Sequence, residues 1–359
     1  MNEMSSNNDV QKSITVLAVE QITGQSFEEA NVEIGPLRIN NFSYVFPITI
    51  YDGNKYHKVY VKIPKEVLRS RIKTVLPITK ADKSMAENEV KSLQILASQW
   101  DSEDIQISWV VFRNFIPQYN AIITNRVEAP DALKLLRRME LCGRFGLKKD
   151  QLRLRDTMAR LGEALGRFHQ KNLKKIVFRL SDDLSKLEYY CNELQKMTNS
   201  KFTGRVMQDL KHISGFTTEA WETQTLKGID IRNVLMDEIG KISLLDPGRI
   251  KLTCREADLA RFIMTYRILY WGSNLFLLRL RPDLRAEEAF LEAYYSACAP
   301  PDSKLLSLYL VKEQLKHWHT AIGSLYLKKW TMPVKKMVAS IYVNPFYTRQ
   351  LKKELKKVV

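Results

Sequence analysis

The sequence predicts an α+β fold in two lobes, a small strand-rich lobe followed by a larger helical lobe. Runs of β-branched and aromatic residues dominate residues 32–127, whereas apolar stripes at helical spacing dominate residues 128–330. A length of 359 residues and a hydrophobic content of 45% allow two substantial cores. We expect an N-terminal extension with a short helix at 1–31 and a separate basic segment at 331–359.

The first lobe contains two strand pairs and one main helix. Residues 13–23 predict a short amphipathic helix that ends near Gly24. An Asp-Gly-Asn turn at 52–54 separates two strand-like runs and predicts a hairpin, because Gly and Asn tolerate positive φ. A helix is expected at 82–98 and a second strand pair within 106–127.

The second lobe is predicted to be helical except for one hairpin within 225–251. The clearest helix is 150–171, whose leucines, methionine and phenylalanine form a single apolar stripe. The full set of expected helices is 131–143, 150–171, 183–198, 203–213, 256–279, 286–297 and 303–330.

Charge is the unusual feature of the composition, since the net charge is +16. Ten lysines and arginines lie between Lys316 and the C-terminus against the single acid Glu354, which is more than half of the excess. These residues are interleaved with aromatic residues and methionines from Trp330 to Tyr347. The pattern fits an anionic membrane surface, a nucleic-acid backbone or a solvated helix edge, with nucleic acid the less favoured partner.

Several classes of protein are disfavoured by the sequence. The polar N-terminus lacks the features of a signal peptide, and no apolar run approaches the length of about 20 residues that crosses a bilayer. The four cysteines have neither disulfide-framework nor zinc-site spacing. We therefore expect a cytoplasmic protein, with peripheral contact at the inner face of the membrane as the extension that the basic segment suggests.

Four residues occur in an order that suits phosphoryl transfer from ATP. Lys62 lies on a predicted strand, Glu89 on the following helix, Asn233 before a short apolar strand and Asp246 after the next one. Such chemistry uses a lysine on the phosphates, a glutamate that holds it, and amide and carboxylate oxygens on Mg²⁺. Ordinary turn chemistry would also explain Asn233 and Asp246, and Glu87 is an equally suitable partner for Lys62.

In this order, and in the stretches LGRFHQ at 165–170 and NVLMDEIGKISLLDPG at 233–248, the chain resembles kinase-like phosphotransferases. The types are aminoglycoside phosphotransferases and choline kinases, and more distantly lipopolysaccharide sugar kinases. The resemblance covers residues 32–300 and implies a bilobal protein-kinase-like fold. It also implies ATP at a hinge near Thr124 to Val127, and a hydroxyl-bearing small molecule or glycan as acceptor.

The same resemblance implies a role for each of the four residues. Lys62, with Glu89, would act on the ATP phosphates, and Asn233 with Asp246 would bind Mg²⁺. The family places a catalytic Asp five residues before the Asn, but Gly228 stands there in this chain. Asp230 is the nearest carboxylate and therefore the candidate base.

Two further departures from the family concern the nucleotide site. Pro247 follows Asp246, and we expect it to hold Asp246 in an extended conformation. No glycine lies between Arg38 and Phe46, so Asn40, Asn41 and Ser43 are the candidates for phosphate contact.

The sequence thus predicts an ATP-dependent phosphotransferase with an altered catalytic loop. Two alternatives stay open. The chain could be a nucleotide-binding pseudokinase that acts as a regulator or scaffold, because the usual catalytic carboxylate is missing. It could also be a basic module that binds a membrane or a nucleic acid.

Overall fold

The computed structural model describes residues 2–40, 42–66, 74–100, 107–130, 148–273, 284–300 and 302–359. The chain divides into two compact units. The first comprises Met1–Ala132, Leu226–Gly228 and Asn233–Ile250, and the second comprises Leu133–Thr225, Ile229–Arg232 and Lys251–Val359. The predicted helix at 131–143 and the predicted phosphate contact Asn41 lie outside the described residues.

The first unit is built on a sheet of six strands. Its strands run in the order β1-β3-β4-β7-β6, with β2 also paired to β3, and each of these pairs is antiparallel. The predicted hairpin is present, with Gly53 at φ 57° between β3 and β4. The strands are β1 (Asn31–Ile34), β2 (Arg38–Ile39), β3 (Ser43–Asp52), β4 (Lys55–Pro64), β6 (Phe112–Ile116) and β7 (Ala121–Asn125).

A helix covers each face of this sheet. Helix α1 (Asn2–Thr23) is longer than the predicted 13–23 and buries one apolar stripe, including Val10, Ile14 and Ala18, against alternate residues of β3 and β4. Helix α2 (Lys80–Gln99) packs on the opposite face with Ala86 and Val90. Because side chains alternate along a strand, β4 presents two different sets of residues to the two helices.

A second, smaller sheet completes the first unit. The hairpin of β10 (Val234–Met236) and β11 (Ile242–Leu244) is antiparallel, and β11 also pairs in parallel with β5 (Ile107–Trp109). The sequence predicted the hairpin but assigned it to the helical lobe and β5 to a strand pair with its neighbours. The hairpin instead groups with the residues of the main sheet.

The second unit is mainly helical and contains a sheet of three strands. The strands are β8 (Lys174–Arg179), β9 (Thr217–Leu226) and β12 (Ile250–Cys254), in the order β12-β9-β8. The helices are α3 (Lys148–Gln170), α4 (Ser181–Thr198), α5 (Lys201–His212), α6 (Glu256–Ser273), α7 (Leu284–Ala297), α8 (Ser303–Tyr326), α9 (Met332–Val338) and α10 (Asn344–Leu355), with a π-helical turn at Ala339–Val343. Helix α3 packs on α7, and α8 contacts α4, α6 and α10.

Two clusters of buried polar side chains connect the helices of this unit. His169 is fully buried between the Tyr294 hydroxyl, at 2.7 Å, and the Asp258 carboxylate, at 3.1 Å, so it has a structural role in this unit. Arg267, also buried, binds Glu287 and Glu354. Since Glu354 lies on α10, this buried ion cluster joins the end of the chain to the helical core.

Candidate active site

Lys62 and Glu89 form an ion pair inside the first unit. Val59, Val61 and Ile63 of β4 face the α1 side, so Lys62 projects from the α2 side. Its ammonium nitrogen lies 2.7 and 2.9 Å from the two carboxylate oxygens of Glu89 on α2. Glu89, rather than Glu87, is therefore the partner of Lys62.

The position of Glu89 depends on how α2 begins. Thr79 and Asp82 form a capping box, in which each side chain accepts a hydrogen bond from the backbone N–H of the other residue. The buried Asp82 carboxylate also accepts from the Glu66 N–H at 2.9 Å and pairs with the Lys65 ammonium group at 3.1 Å. This cluster attaches the first turn of α2 to the end of β4, two helical turns before Glu89.

Asp246 brings a second carboxylate to Lys62, with its Oδ1 atom 2.8 Å from the ammonium nitrogen. The strand before it is held by β5, since Val110 donates its N–H to the Leu244 carbonyl oxygen at 3.0 Å. Leu245 then packs against the apolar cluster between α2 and the main sheet. Lys62, Glu89 and Asp246 therefore meet at one point, although they come from a strand, a helix and a hairpin.

The backbone of Asp246 differs from the expected extended conformation, because its φ is 50°. Proline at the next position disfavours the right-handed α region, and aspartate is one of the few side chains that occupy the left-handed region readily. The Lys62 contact and a hydrogen bond from the Gly228 N–H to the Pro247 carbonyl, at 2.9 Å, hold both sides of this residue. The prediction of an extended Asp246 was wrong.

Two carboxylates around one ammonium group shift the pKa values of the cluster. Burial alone would lower the pKa of Lys62, but the charges of Asp246 and Glu89 outweigh it and raise that pKa above its ordinary value. Burial raises the pKa of Glu89 to about 7, an effect that Lys62 opposes and the nearby Asp246 charge reinforces. Lys62 is therefore a fixed cation.

Asn233 is held next to Asp246 by backbone contacts. Its side-chain nitrogen donates to the Gly228 carbonyl oxygen at 2.9 Å and lies 3.5 Å from the carbonyl oxygen of Asp246. Its own carbonyl oxygen accepts from the Leu245 N–H at 2.8 Å. Because the nitrogen makes the side-chain contacts, the Oδ1 atom is left to bind a ligand.

Gly228 leaves no room for a side chain. A Cβ atom built at this position would overlap the Asp246 carbonyl oxygen and lie 2.6 and 2.8 Å from the carbonyl carbon and oxygen of Pro247. Gly248, with φ 63°, lies directly against it. The absence of a carboxylate five residues before Asn233 is thus a property of the backbone path and not of one substitution alone.

Asp230, the candidate base, belongs to the second unit and is engaged by Arg232. Its Oδ1 atom accepts from the backbone N–H and the Nε–H of Arg232 at 2.9 and 2.8 Å, and its Oδ2 atom is bonded by the Arg232 Nη2 group. Only 8% of the Asp230 side chain is exposed. These three hydrogen bonds occupy most of the acceptor capacity of the carboxylate and leave the second lone pair of Oδ2 for an acceptor hydroxyl.

The other predicted nucleotide contacts lie on the main sheet. Asn40 follows β2, and its N–H donates to the carbonyl oxygen of Ser43, the first residue of β3, at 2.9 Å. Ser43 begins β3 on the same face as Lys62, since the next residue, Tyr44, faces α1. Thr124 lies within β7 opposite Tyr60, one residue before that strand ends, and shares the face of Ile122 and Lys62.

The donor set fits the groups that the sequence predicted. Asp246 offers a carboxylate of which 49% is exposed, and Asn233 offers an amide oxygen, both of which are hard ligands that Mg²⁺ prefers. Lys62 is a cation suited to phosphate. Among the residues that the structure describes, no cluster of three or more His, Cys, Asp or Glu side chains could hold a metal ion, so the candidate site depends on one carboxylate and one amide.

Sequence reasoning missed the Lys65–Asp82 pair and the Arg232–Asp230 contact. The first left a recognisable signal, since Thr79 and Asp82 have the spacing of a capping box before an apolar helix. The Arg232–Asp230 contact left no signal except that the two residues are close in sequence, because many Asp-x-Arg triplets are exposed and unpaired.

Three solved structures that match this chain are described as an aminoglycoside phosphotransferase and a glucosamine kinase in two forms. A candidate aminoglycoside phosphotransferase from Ralstonia eutropha JMP134 matches with a TM-score of 0.57 and 10% identity, over 96% of this chain and 98% of that chain. A glucosamine kinase matches with a TM-score of 0.51 and 12% identity, over 98% and 87%. A glucosamine kinase in complex with glucosamine, ADP and inorganic phosphate matches with a TM-score of 0.52 and 11% identity, over 91% of this chain and 81% of that chain.

No protein-family model and no curated protein matches the chain. At identities of 10–12% the structural likeness shows the fold alone. It confirms the predicted α+β architecture, with a sheet-containing N-terminal part and a helical C-terminal part. The chain therefore has the protein-kinase-like fold of small-molecule phosphotransferases.

Proposed function

We propose that the protein is an ATP-dependent phosphotransferase that moves the γ-phosphate to a hydroxyl group. The observation that carries this proposal is the convergence of Lys62, Glu89 and Asp246, with Asn233 beside them, in one compact unit of a phosphotransferase fold. A structural ion pair would explain Lys62 and Glu89. It would not explain the second, half-exposed carboxylate on the same ammonium group or its left-handed backbone.

Each residue has a distinct task in this proposal. Lys62 binds the phosphates of ATP, and Glu89 orients the ammonium group. Asp246 and Asn233 hold Mg²⁺, which neutralises the negative charge of the phosphates when it is bound. Asn40 and Ser43 contact the phosphates from the β2–β3 turn, with Asn41 predicted to join them, and Thr124 lies at the adenine end.

The acceptor is proposed to be an alcohol on a sugar, on an amino alcohol or on a lipid-linked glycan. The glucosamine kinase of the same fold binds an amino sugar, and the net charge of +16 favours an anionic or membrane-associated acceptor. Asp230 is the proposed base. Arg232 donates three hydrogen bonds to this carboxylate and thereby orients it.

Transfer of radiolabel from γ-labelled ATP to a panel of amino sugars, amino alcohols and glycans tests the activity. We expect Mg²⁺-dependent turnover that falls by at least about a hundredfold in Asp246→Asn. Loss of turnover in Asp230→Asn, with ATP binding retained, would support the base assignment. Turnover that survives Asp246→Asn would refute the proposed metal site.

A nucleotide-binding pseudokinase is the second candidate, and the crowded backbone at Gly228 favours it. It predicts Mg²⁺-dependent stabilisation by ATP without transfer to any acceptor and without hydrolysis. A basic binding module, the third possibility, predicts no stabilisation by ATP. A thermal-shift measurement with ATP and Mg²⁺ therefore separates the third candidate from the first two, and the transfer assay separates the first from the second.

A further inference from the structure

We propose that the segment 327–341, at the end of α8 and along α9, docks on an anionic lipid bilayer. This segment is called the docking patch below. The inference does not depend on phosphotransfer, because it rests on a surface of the second unit and its test requires no nucleotide.

The docking patch exposes a cluster of large apolar side chains to solvent. Six of them are between 39% and 56% exposed, namely Leu327, Trp330, Met332, Val334, Met337 and Ile341. No residue of α9 is buried. Val334, Met337 and Ile341 follow one another at intervals of three and four, so they share one side of the helical segment. Clusters of this kind mark interaction sites.

The positive charge of the docking patch favours an anionic partner. Lys328, Lys329, Lys335 and Lys336 lie among the apolar residues, and the sequence contains no Asp or Glu between Glu313 and Glu354. The Lys328 ammonium group lies over the Trp330 ring at 4.6 Å, and Lys335 donates to the Tyr326 carbonyl oxygen at 2.9 Å. Lysines beside an interfacial tryptophan match the polar and apolar layers of an anionic membrane surface.

The rest of the basic C-terminal segment is not part of this surface. In α10 the residues Phe346, Tyr347, Leu351 and Leu355 are buried, and Glu354 binds Arg267. The apolar side chains of α10 are therefore packed in the core of the second unit and are not exposed to a membrane. Among the described residues no helix is long and apolar enough to span a membrane, so the docking patch would lie on the bilayer.

A bilayer fits these observations better than a nucleic acid. Lysines alone are enough to bind the phosphate backbone of a nucleic acid. The six exposed apolar side chains, five of which are aliphatic or thioether, would contribute little to such binding. At a lipid interface the same side chains enter the boundary between headgroups and acyl chains, while the lysines remain with the lipid phosphates.

Co-sedimentation of the full-length protein with vesicles tests the proposal. We expect binding to vesicles that contain phosphatidylglycerol and much weaker binding to pure phosphatidylcholine. Lys328→Glu/Lys336→Glu should lower the affinity for the anionic vesicles by at least about tenfold. Trp330→Ser/Met337→Ser should lower it by a similar factor through lost apolar burial.

Two control variants separate the docking patch from the general charge of the protein. Lys12→Glu/Lys83→Glu makes the same charge change at exposed sites on α1 and α2, and Leu152→Ser/Val177→Ser removes exposed apolar groups from α3 and β8. Both controls should bind anionic vesicles several-fold better than the patch variants. Equal binding by patch and control variants would overturn the proposal, as would patch variants that lose duplex RNA binding but keep vesicle binding.

Discussion

Asp246 is the residue at which backbone and chemistry are most closely linked. Its φ of 50° lies in a region that costs most side chains about 1 kcal/mol or more, and Asn and Asp less. The same residue carries the carboxylate that reaches Lys62. A substitution here can therefore change the fold, the chemistry or both, and the choice of variant decides which of these is measured.

Asp246→Ala and Asp246→Asn should differ in stability although both remove the negative charge. Asparagine tolerates the left-handed conformation, so Asp246→Ala should have a free energy of unfolding lower than that of Asp246→Asn by about 1 kcal/mol. Urea denaturation of the two variants provides the measurement. Equal stabilities would show that the positive φ is not maintained in solution.

Gly228 should not accept any side chain. Because a Cβ atom would overlap backbone atoms of Asp246 and Pro247, Gly228→Ala should reduce the free energy of unfolding by about 2 kcal/mol or more. Gly204→Ala is the matched control, since that helical glycine has open space and alanine should stabilise it by about 0.5–1 kcal/mol. Unfolding midpoints that move in the same direction for both variants would contradict this account.

Residue identities in the candidate site could be predicted, but the contacts of some of them could not. The alternation of apolar residues along β4 is enough to assign the face of Lys62, because that inference needs only the period of a strand. The left-handed Asp246 and the crowding at Gly228 depend on how two distant segments pack against each other. Short-range sequence rules do not contain that information, and the rule for residues before proline pointed to the wrong conformation.

Helix α2 shows how an element sets the geometry of the candidate site. Asp82 fixes its first turn to Lys65 and Glu66, and Glu89 lies two turns further along the same helix. A displacement of the first turn of α2 would therefore also move Glu89 relative to Lys62, because the helix is rigid. Asp82 is a positioning residue in this account and is not expected to touch ATP.

Asp82→Asn should weaken both the fold and ATP binding. Removal of the charge leaves Lys65 buried without its carboxylate, which we expect to cost about 3 kcal/mol in the free energy of unfolding. The Kd for ATP should rise several-fold because Glu89 is less well held. Thr79→Ala is the control, since it removes only a cap bond and should cost about 1 kcal/mol without changing the Kd. An unchanged Kd in Asp82→Asn would exclude the positioning role.

Most elements of the first unit could be predicted with errors of a few residues at their ends. The Asp-Gly-Asn turn and the β10–β11 hairpin have local signals, and both are present. The parallel pairing of β11 with β5 joins residues more than 130 positions apart and has no local signal. Helix α1 begins well before its predicted start: Val10 is buried in the core, and the Asn7 side chain accepts a hydrogen bond from the Val75 N–H at 2.9 Å. Such tertiary contacts have no local signal in the sequence.

At the scale of the whole molecule, the α10 part of the C-terminal segment belongs to the folded core. Arg267 lies between Glu287 and Glu354 with nitrogen–oxygen distances of 2.6 and 3.0 Å, and all three groups are buried. A basic segment that the sequence set apart at 331–359 is thus partly structural. Its removal as a block would disturb the second unit, which is why point variants are the appropriate test of the docking patch.

Glu287→Gln should reduce the free energy of unfolding by about 3 kcal/mol. The substitution leaves Arg267 with one carboxylate in a buried site, and a buried charge that loses a partner is strongly destabilising. Glu288→Gln, at the exposed neighbouring position, should change the stability by less than about 0.5 kcal/mol. Chemical denaturation of the two variants decides the point, and similar values for both would mean that the cluster does not hold the unit together.

The overall fold could be predicted because its strand-rich and helix-rich parts are consecutive in the chain. The assignment of the hairpin to the sheet-containing unit could not, since it interrupts the second unit in sequence and returns to the first in space. Composition alone located the excess charge but not the exposed apolar side chains among it. The Arg267 cluster ties α10 to the core of the second unit, and sequence spacing does not reveal this cluster.

The central claim is that Lys62, Glu89 and Asp246, with Asn233, form a site for ATP and Mg²⁺. Calorimetric titration of ATP with Mg²⁺ and with a chelator, on the wild type, Asp246→Asn and the exposed control Glu238→Gln, tests it most directly. The account predicts binding that requires Mg²⁺, that weakens at least about tenfold in Asp246→Asn and that is unchanged in Glu238→Gln. Binding of ATP that is insensitive to both Mg²⁺ and Asp246→Asn would contradict it.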